Sequence, residues 1–202
     1  MKKFLVLGLI VSVTASLVSV IRAQDQKTPE DSAEMAAMMA KAQKVMQPGE
    51  HHKALERFIG KWDTETRFFM GGQPTPPEKG TTETSWLMEG RWIQLKSKGT
   101  LMGMPFESLM IMGYDNFKKS YVTSFVSSFD TAMVCSEGDM NRDGTALLTY
   151  GTLDDYTTGE LDKMVKSVWR FESEDKIVWE FHDLPIGETN TKVMEITSTR
   201  QK

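Results

Sequence analysis

The sequence predicts a mostly β protein: a single antiparallel, up-and-down β-barrel of about ten strands that follows an N-terminal helical appendage. From Trp62 onward, short runs rich in β-branched and aromatic residues alternate with turn signals at intervals of about ten residues, a spacing typical of barrels and sandwiches. No helical period long enough for a parallel crossover occurs after residue 60. Because the links between the runs are short, we expect neighbouring strands to be antiparallel and to close as a meander.

The candidate strands follow one another along the chain with a turn between each pair. They lie near 61–70, 80–88, 90–99, 106–113, 120–128, 131–138, 145–152, 163–172, 176–183 and 190–199. Ile177, Trp179 and Phe181 share one face of their strand, whereas the segment 121–129 has apolar residues on both faces. These patterns fit a barrel with a lined cavity, and they fit a well-packed sandwich equally.

The first 23 residues have the three parts of a secretory signal peptide. Lys2 and Lys3 precede an apolar run, Phe4–Ile21, and Ala23 offers a small residue for cleavage. No cysteine follows the run, so lipid attachment is not predicted. We therefore expect export to the periplasm or the extracellular space, with no stable membrane insertion after cleavage.

Charge and length limit the partners and the number of domains. Removal of Lys2, Lys3 and Arg22 with the signal changes the net charge from −4 to −7, and such a surface repels nucleic acid. The chain length suits one domain, over 50–202.

Cys135 is the single cysteine, so no internal disulfide can form, and we expect it to be a small buried apolar residue.

Two helical segments are predicted before the strands. Residues 24–49 are rich in methionine and alanine at helical spacing, with Asp31 or Ser32 as the candidate N-cap. We expect this segment to pack loosely on the domain or to be partly disordered, and a methionine surface for a protein partner is the alternative. The second helix is a short one over 50–58. Its apolar face carries Leu55, Phe58 and Ile59.

Six short motifs occur in order between residues 52 and 122, within a similarity that spans roughly 48 to 200. They are His52-Lys53-x-Leu55, Gly60-x-Trp62, Gly90-Arg91, Gly103-Met104-Pro105-Phe106-Glu107, Gly113-Tyr114-Asp115-Asn116 and Tyr121-Val122. In this order they resemble the bacterial domain-of-unknown-function family 1579, which is grouped with the calycin barrels. The Gly-x-Trp opening resembles that of lipocalins and fatty-acid-binding proteins. The resemblance implies an antiparallel barrel and brings no assigned activity. Phe125-Val126-Ser127 and Asp155-Tyr156 depart from the family's aromatic-x-Asp and Asp-Pro stretches.

One segment resembles half of a metal site. The pattern Asp139-x-Asn141-x-Asp143-Gly144 matches the first half of a calcium loop, but Tyr150 stands where the bidentate glutamate belongs. A hairpin turn explains the same residues, so no metal is predicted.

The remaining chemistry-bearing residues form no catalytic signature. His51 and His52 are adjacent and diverge around a helix, and His182 has no ligand neighbour in the sequence. We expect His52 to make a polar contact that seats the short helix against the barrel end. No nucleophile elbow, phosphate loop or dinucleotide fingerprint occurs, so we predict no cofactor and no catalytic residue.

A candidate ligand site comes from large side chains on strands that should have an inward face. The candidate apolar wall consists of Trp62, Trp86, Trp92, Phe125, Trp169 and Trp179. The charged candidates are Arg91, Glu195 and Arg200. Buried charges must be paired or must bind something, so these three either anchor an anionic head group or close the barrel end as an internal Arg–Glu pair.

Two functions of different classes follow from this site. The first is a binding module that sequesters or carries a small hydrophobic or amphipathic molecule inside the barrel. The second is a structural or interaction protein whose barrel is filled by its own side chains. An enzyme of unknown reaction ranks third.

Overall fold

The computed structural model describes residues 29–156, 158–184 and 191–202, with side chains from residue 32 onward. The predicted signal peptide, 1–23, lies outside the described residues. The chain divides after Gln47 into two units, which are described separately.

Helix α1 spans Pro29–Met46 in the first unit. It begins earlier than predicted, so Asp31 and Ser32 lie inside the helix and not at its N-cap position. A proline suits the first helical position because its fixed φ fits the helix and its missing N–H has no partner to lose there. Several methionines of α1 are exposed, among them Met38 and Met46. None of the described helices is both long and apolar enough to span a membrane.

The second unit begins with two short helices and continues as strands. Helix α2 (Glu50–Lys53) runs directly into a 3-10 helix (Ala54–Phe58), and together they form the helix predicted over 50–58. The strands are β1 (Gly60–Met70), β2 (Gln73–Pro74), β3 (Glu78–Met88), β4 (Trp92–Leu101), β5 (Met104–Asp115), β6 (Ser120–Ser127), β7 (Val134–Met140), β8 (Ala146–Asp155), β9 (Glu160–Ser173), β10 (Lys176–Asp183) and β11 (Thr191–Arg200).

Ten of these strands form one closed antiparallel barrel. From β3 to β11 each strand pairs with the next in sequence, and β1 pairs with β3. Strand β11 then pairs back with β1, from Trp62 opposite Arg200 to Phe68 opposite Met194. Strand β2 pairs only with the end of β1. The predicted up-and-down barrel is confirmed, and the closure of β11 on β1 excludes the sandwich.

Side chains alternate between the inside and the outside of the barrel, as strand geometry requires. Along β1, Trp62 and Thr64 are buried, whereas the charged Asp63 and Glu65 are exposed. The same alternation corrects the prediction for Cys135, which is exposed. It lies on β7 between Val134 and Ser136, which both face the interior, so its thiol points outward.

The 3-10 helix closes one end of the barrel. Leu55 and Phe58 are 0% and 2% exposed, and the Phe58 ring lies edge-on to Trp169 and Phe171 at centroid distances of 5.5 and 5.1 Å. Full burial of a large apolar side chain contributes about 1.5–3 kcal/mol, so this plug is a substantial part of the core.

The segment with half of a calcium pattern forms the turn between β7 and β8. Asn141 Oδ1 accepts hydrogen bonds from the backbone N–H groups of Thr145 and Ala146, at 2.8 and 3.0 Å. Gly144 has a φ of 64°, a value that glycine adopts without strain. The Asn141 side-chain oxygen therefore stabilises the turn through these backbone hydrogen bonds. Within the described ranges, no group of three or more His, Cys, Asp or Glu side chains is placed to hold a metal ion.

Candidate ligand-binding cavity

The barrel encloses a cavity of about 470 Å³. This volume lies within the range of about 300–1,000 Å³ typical of small-molecule sites. Its lining begins at Phe58, at the closed end, and reaches Asp130, Ala132 and Tyr156 in the loops at the other end of the barrel. Among the described residues, the cavity is therefore closed by the 3-10 helix and open at the opposite rim.

Four of the predicted aromatic residues meet in the cavity wall: Trp62, Phe125, Trp169 and Trp179. Trp169 and Trp179 stack in parallel, with centroids 4.4 Å apart and planes 4° apart, and Phe125 lies edge-on to Trp179 at 6.4 Å. The Trp179 Nε1 atom is buried and has no hydrogen-bond partner among the described residues. Such an orphan donor costs about 1–3 kcal/mol, so this wall is not optimised for stability alone.

Three other predicted residues lie outside the cavity lining. Trp86 is half-buried and packs against the core cluster. Trp92 lies on the outer face, where its ring covers Gly113 so closely that a Cβ at this position would overlap the ring. Arg91 is exposed in the turn between β3 and β4. Contact of any of the three with a ligand stays a prediction.

Arg200 closes the barrel end, but not through the Arg–Glu pair that we considered. Its guanidinium lies over the Trp62 ring, 4.1 Å from the centroid. It donates hydrogen bonds to the carbonyl oxygens of Ile59 at 2.5 Å, Arg57 at 3.1 Å and Glu174 at 3.0 Å. Its carboxylate partner is Asp175, at 3.3 Å. Arg200 thus fastens β11 to the 3-10 helix.

Glu195 belongs to a separate ion-pair network on the outer face of β9, β10 and β11. Its Oε2 accepts a hydrogen bond from Lys192 Nζ at 2.6 Å, and Lys192 also lies 3.4 Å from Glu180. Burial by itself would raise the pKa of Glu180, but the hydrogen bond from Arg170 and the nearby His182 hold that pKa below its usual range. Glu195 and Arg200 therefore serve different parts of the barrel.

His52 seats the short helix as predicted. It is buried, and its Nδ1 accepts a hydrogen bond from the Gly49 N–H at 3.0 Å. Its ring lies edge-on to Tyr114, 5.8 Å between centroids, and His51 stacks on the same tyrosine at 4.2 Å. Burial lowers the pKa of His52, so the neutral imidazole that this contact needs is the favoured form.

Sequence reasoning missed a band of hydroxyl groups on the inner wall. Its members are Thr64, Thr66, Thr82, Thr84, Ser97, Ser108, Thr123, Ser127, Ser136, Thr149, Ser167 and Ser198. Thr82 and Ser97 share a hydrogen bond of 2.8 Å, and Ser136 joins Thr123 at 2.7 Å to Thr149 at 3.0 Å. Charged residues alternate with these positions along the strands, as on β1. Because the charged residues must face the solvent, this alternation could have predicted that the hydroxyl groups face inward.

A second group that sequence reasoning missed surrounds Lys163 at the open end. Its Nζ lies 2.8 Å from Asp183, 3.1 Å from Asp155 and 3.5 Å from Glu160. The hydrogen bond to Asp183 is the largest of the influences that raise the pKa of Lys163, so the ammonium stays charged. Three carboxylates around one ammonium leave an excess of negative charge beside the cavity mouth.

The geometry defines a class of protein: a closed antiparallel β-barrel with an internal cavity that is open at one end and lined by aromatic and hydroxyl groups. The chain belongs to the family described as "Protein of unknown function (DUF1579)", whose model matches residues 47–200. The family resemblance seen in the sequence motifs is thereby confirmed. Among curated proteins, no match is found.

Solved structures show the same fold at low sequence identity. The crystal structure of Rv2717c from M. tuberculosis aligns with a TM-score of 0.55 and 10% identity, over 77% of this chain and 100% of that one. The S-type phycobiliprotein lyase CPES from Guillardia theta aligns with a TM-score of 0.50 and 12% identity, over 77% of this chain and 99% of that one. At such identities the likeness extends to the fold alone.

Proposed function

We propose that this protein is exported and holds a small hydrophobic or amphipathic molecule in its barrel cavity. One observation carries the proposal: the barrel interior is not filled by its own side chains but leaves about 470 Å³. A barrel that acts only through its surface has no need of such a space, because small barrels readily fill it with side chains. The cavity therefore favours the binding module over the filled-barrel alternative.

The size of the cavity limits the size of the ligand. Its volume of about 470 Å³ lies in the lower half of the range of about 300–1,000 Å³ typical of small-molecule sites. A medium-chain amphiphile or a small ring system suits a site of this size. The stacked Trp169 and Trp179 supply apolar contact area, and the hydroxyl band supplies hydrogen bonds for orientation.

The export part of the proposal rests on the sequence of residues 1–23. The basic start, apolar run and small residue at the cleavage position are the three marks of a secretory signal. Fractionation of the native host tests it: the mature chain, shortened by the signal, should appear in the periplasm or the medium. A full-length chain in the cytoplasm would contradict export and leave the cavity proposal standing.

Two neighbouring threonines on β3 give a matched test of the cavity. Thr82 lines the cavity and Thr81 is exposed on the opposite face of the strand. We expect the mature protein to bind Nile red, an uncharged lipophilic dye, with an increase in dye fluorescence. Thr82→Phe places a ring in the cavity and should weaken binding at least tenfold, about 1.4 kcal/mol, whereas Thr81→Phe should not. Equal binding by both variants would place the dye outside the barrel.

The natural ligand can be sought directly. Native mass spectrometry of the protein purified from its own host should show a stoichiometric small molecule, which extraction would release together with a shift in tryptophan emission. Repeated recovery of ligand-free protein that also fails to bind the dye would refute the proposed function.

A further inference from the structure

We infer that the cavity selects amphiphiles with an uncharged head group and discriminates against carboxylates. The inference rests on the proposed function and narrows its ligand to one chemical class. The inference is based on the distribution of charged and hydroxyl groups around the cavity. A buried carboxylate needs a nearby cation, whereas the inner wall offers hydroxyl groups.

The described lining residues place no basic side chain inside the cavity. Lys79 and Lys98 are the only lysines or arginines among them, and both are exposed. The Lys98 side chain is 70% exposed, and its Nζ lies 3.0 Å from Glu107 on the outer surface. In the sequence, the internal residues outside the described ranges, Thr157 and 185–190, include no lysine or arginine. Lys163 is opposite the lining residue Leu153 and so faces inward near the mouth, but its ammonium is already surrounded by Asp155, Glu160 and Asp183. A carboxylate inside the barrel would therefore meet no uncommitted cation among the described lining residues.

The cation at the closed end is already committed to the protein. Arg200 donates to three backbone carbonyl groups, pairs with Asp175 and covers the Trp62 ring. It is not among the residues that line the cavity. A ligand carboxylate could reach it only by displacing these contacts, so Arg200 does not serve as the anionic anchor that the sequence allowed.

The open end is acidic as well. Asp155, Glu160 and Asp183 outnumber the single ammonium of Lys163 that they surround. Two further acidic residues, Asp130 and Asp154, lie in the lining near this end. The two lining lysines lie at this end as well, and Lys98 is paired with Glu107, so acidic groups remain in excess. This excess of negative charge repels an anionic head group at the mouth, and the repulsion grows as the head group moves from the wet rim into the barrel.

The inner wall instead suits an uncharged polar group. A hydroxyl carries one donor and two acceptor positions, so the Thr82–Ser97 pair and the Thr123–Ser136–Thr149 chain retain capacity beyond their mutual bonds. An alcohol, ester or amide can exchange hydrogen bonds with such groups. Burial of an ionised carboxylate is far more costly than burial of a hydroxyl unless a cation pairs with it.

The test compares two ligands that differ only in the head group. Dodecanol and dodecanoate are titrated into the mature protein loaded with Nile red at neutral pH, and displacement of the dye is measured. We expect dodecanol to bind at least about tenfold more tightly than dodecanoate, which corresponds to about 1.4 kcal/mol. Equal affinity, or a preference for dodecanoate, would overturn the inference while the binding function stands.

A charge placed in the wall gives the matched control. Ser108 lines the cavity from β5, so Ser108→Lys adds an ammonium there and Ser108→Met adds a side chain of similar length without charge. The lysine variant should lose or reverse the preference for dodecanol, and the methionine variant should keep it. An unchanged preference in the lysine variant would show that charge is not the cause. Failure of the wild-type protein to bind the dye or either amphiphile would refute the proposed function, and this inference with it.

Discussion

Replacement of Arg200 by methionine should destabilise the barrel by about 3 kcal/mol. Methionine keeps an unbranched apolar side chain over Trp62 but removes the donors to the carbonyl groups of Ile59, Arg57 and Glu174. A hydrogen bond from a charged donor contributes about 1.5–3 kcal/mol, and the cation–π contact about 0.5–2 kcal/mol. The hydrogen bonds and the cation–π contact belong to one side chain that is 28% exposed, so their free-energy contributions are not fully additive.

Urea denaturation followed by tryptophan fluorescence measures the loss, and thermal unfolding should show a lower Tm by about 6–12 °C. Arg67→Met is the control, because Arg67 is 38% exposed and lies 3.7 Å from Glu65, an ion pair worth less than about 1 kcal/mol. Arg200→Lys should recover less than half of the loss, since one ammonium cannot reproduce the planar fork. A loss for Arg200→Met no larger than that for Arg67→Met would refute the role of Arg200 as a fastening.

Three further predictions concern the closed end and the ligand. Gly60→Ala should cost about 2 kcal/mol, because Gly60 has a φ of 133° and a Cβ would lie 2.5 Å from Arg200 Nη1; a double-mutant cycle should show a smaller cost in the Arg200→Met background. Burial lowers the pKa of His52, so its stabilising contribution is present above the unfolded value of about 6.5 and is lost as the pH falls below it. The difference in urea midpoint between the wild type and His52→Asn should therefore shrink towards pH 5, and a constant difference would contradict this. Dodecanoate should bind more tightly as the pH falls and its carboxyl group becomes neutral, while the affinity for dodecanol, measured by the same dye displacement, should stay constant.

The strands could be predicted because apolar and polar residues alternate clearly along them. Ile177, Trp179 and Phe181 line the cavity as their shared face implied, and so does Phe125. The direction of Trp92 could not be predicted, because Trp92 and Ile93 are adjacent apolar residues that must face opposite sides of β4, and the sequence does not say which one faces inward. In the structure Ile93 is buried inside the barrel, so Trp92 lies on the outer face.

The polar part of the site was harder to predict for two physical reasons. Threonine and serine fit either face of a strand, so the inward positions of Thr82 and Ser97 follow only from their neighbours. The partners of Arg200 depend on what the end of β11 meets on each side: the carbonyl groups of Arg57 and Ile59 before β1, and Asp175 in the turn before β10. Contacts across such sequence distances have no local signal. Asp175 and the carbonyl groups at the barrel end therefore replaced Glu195 as its partners.

The pairing of β11 with β1 makes the cavity a property of the completed barrel. All other pairings in the ring join strands that are close in sequence, whereas this one joins 62–68 to 194–200. Until β11 has been synthesised and has docked, the interior is an open sheet face, and Arg200 cannot reach the 3-10 helix. If the chain is exported, as proposed, and crosses the membrane before it folds, the barrel closes only after translocation, and its ligand must be acquired outside the cytoplasm.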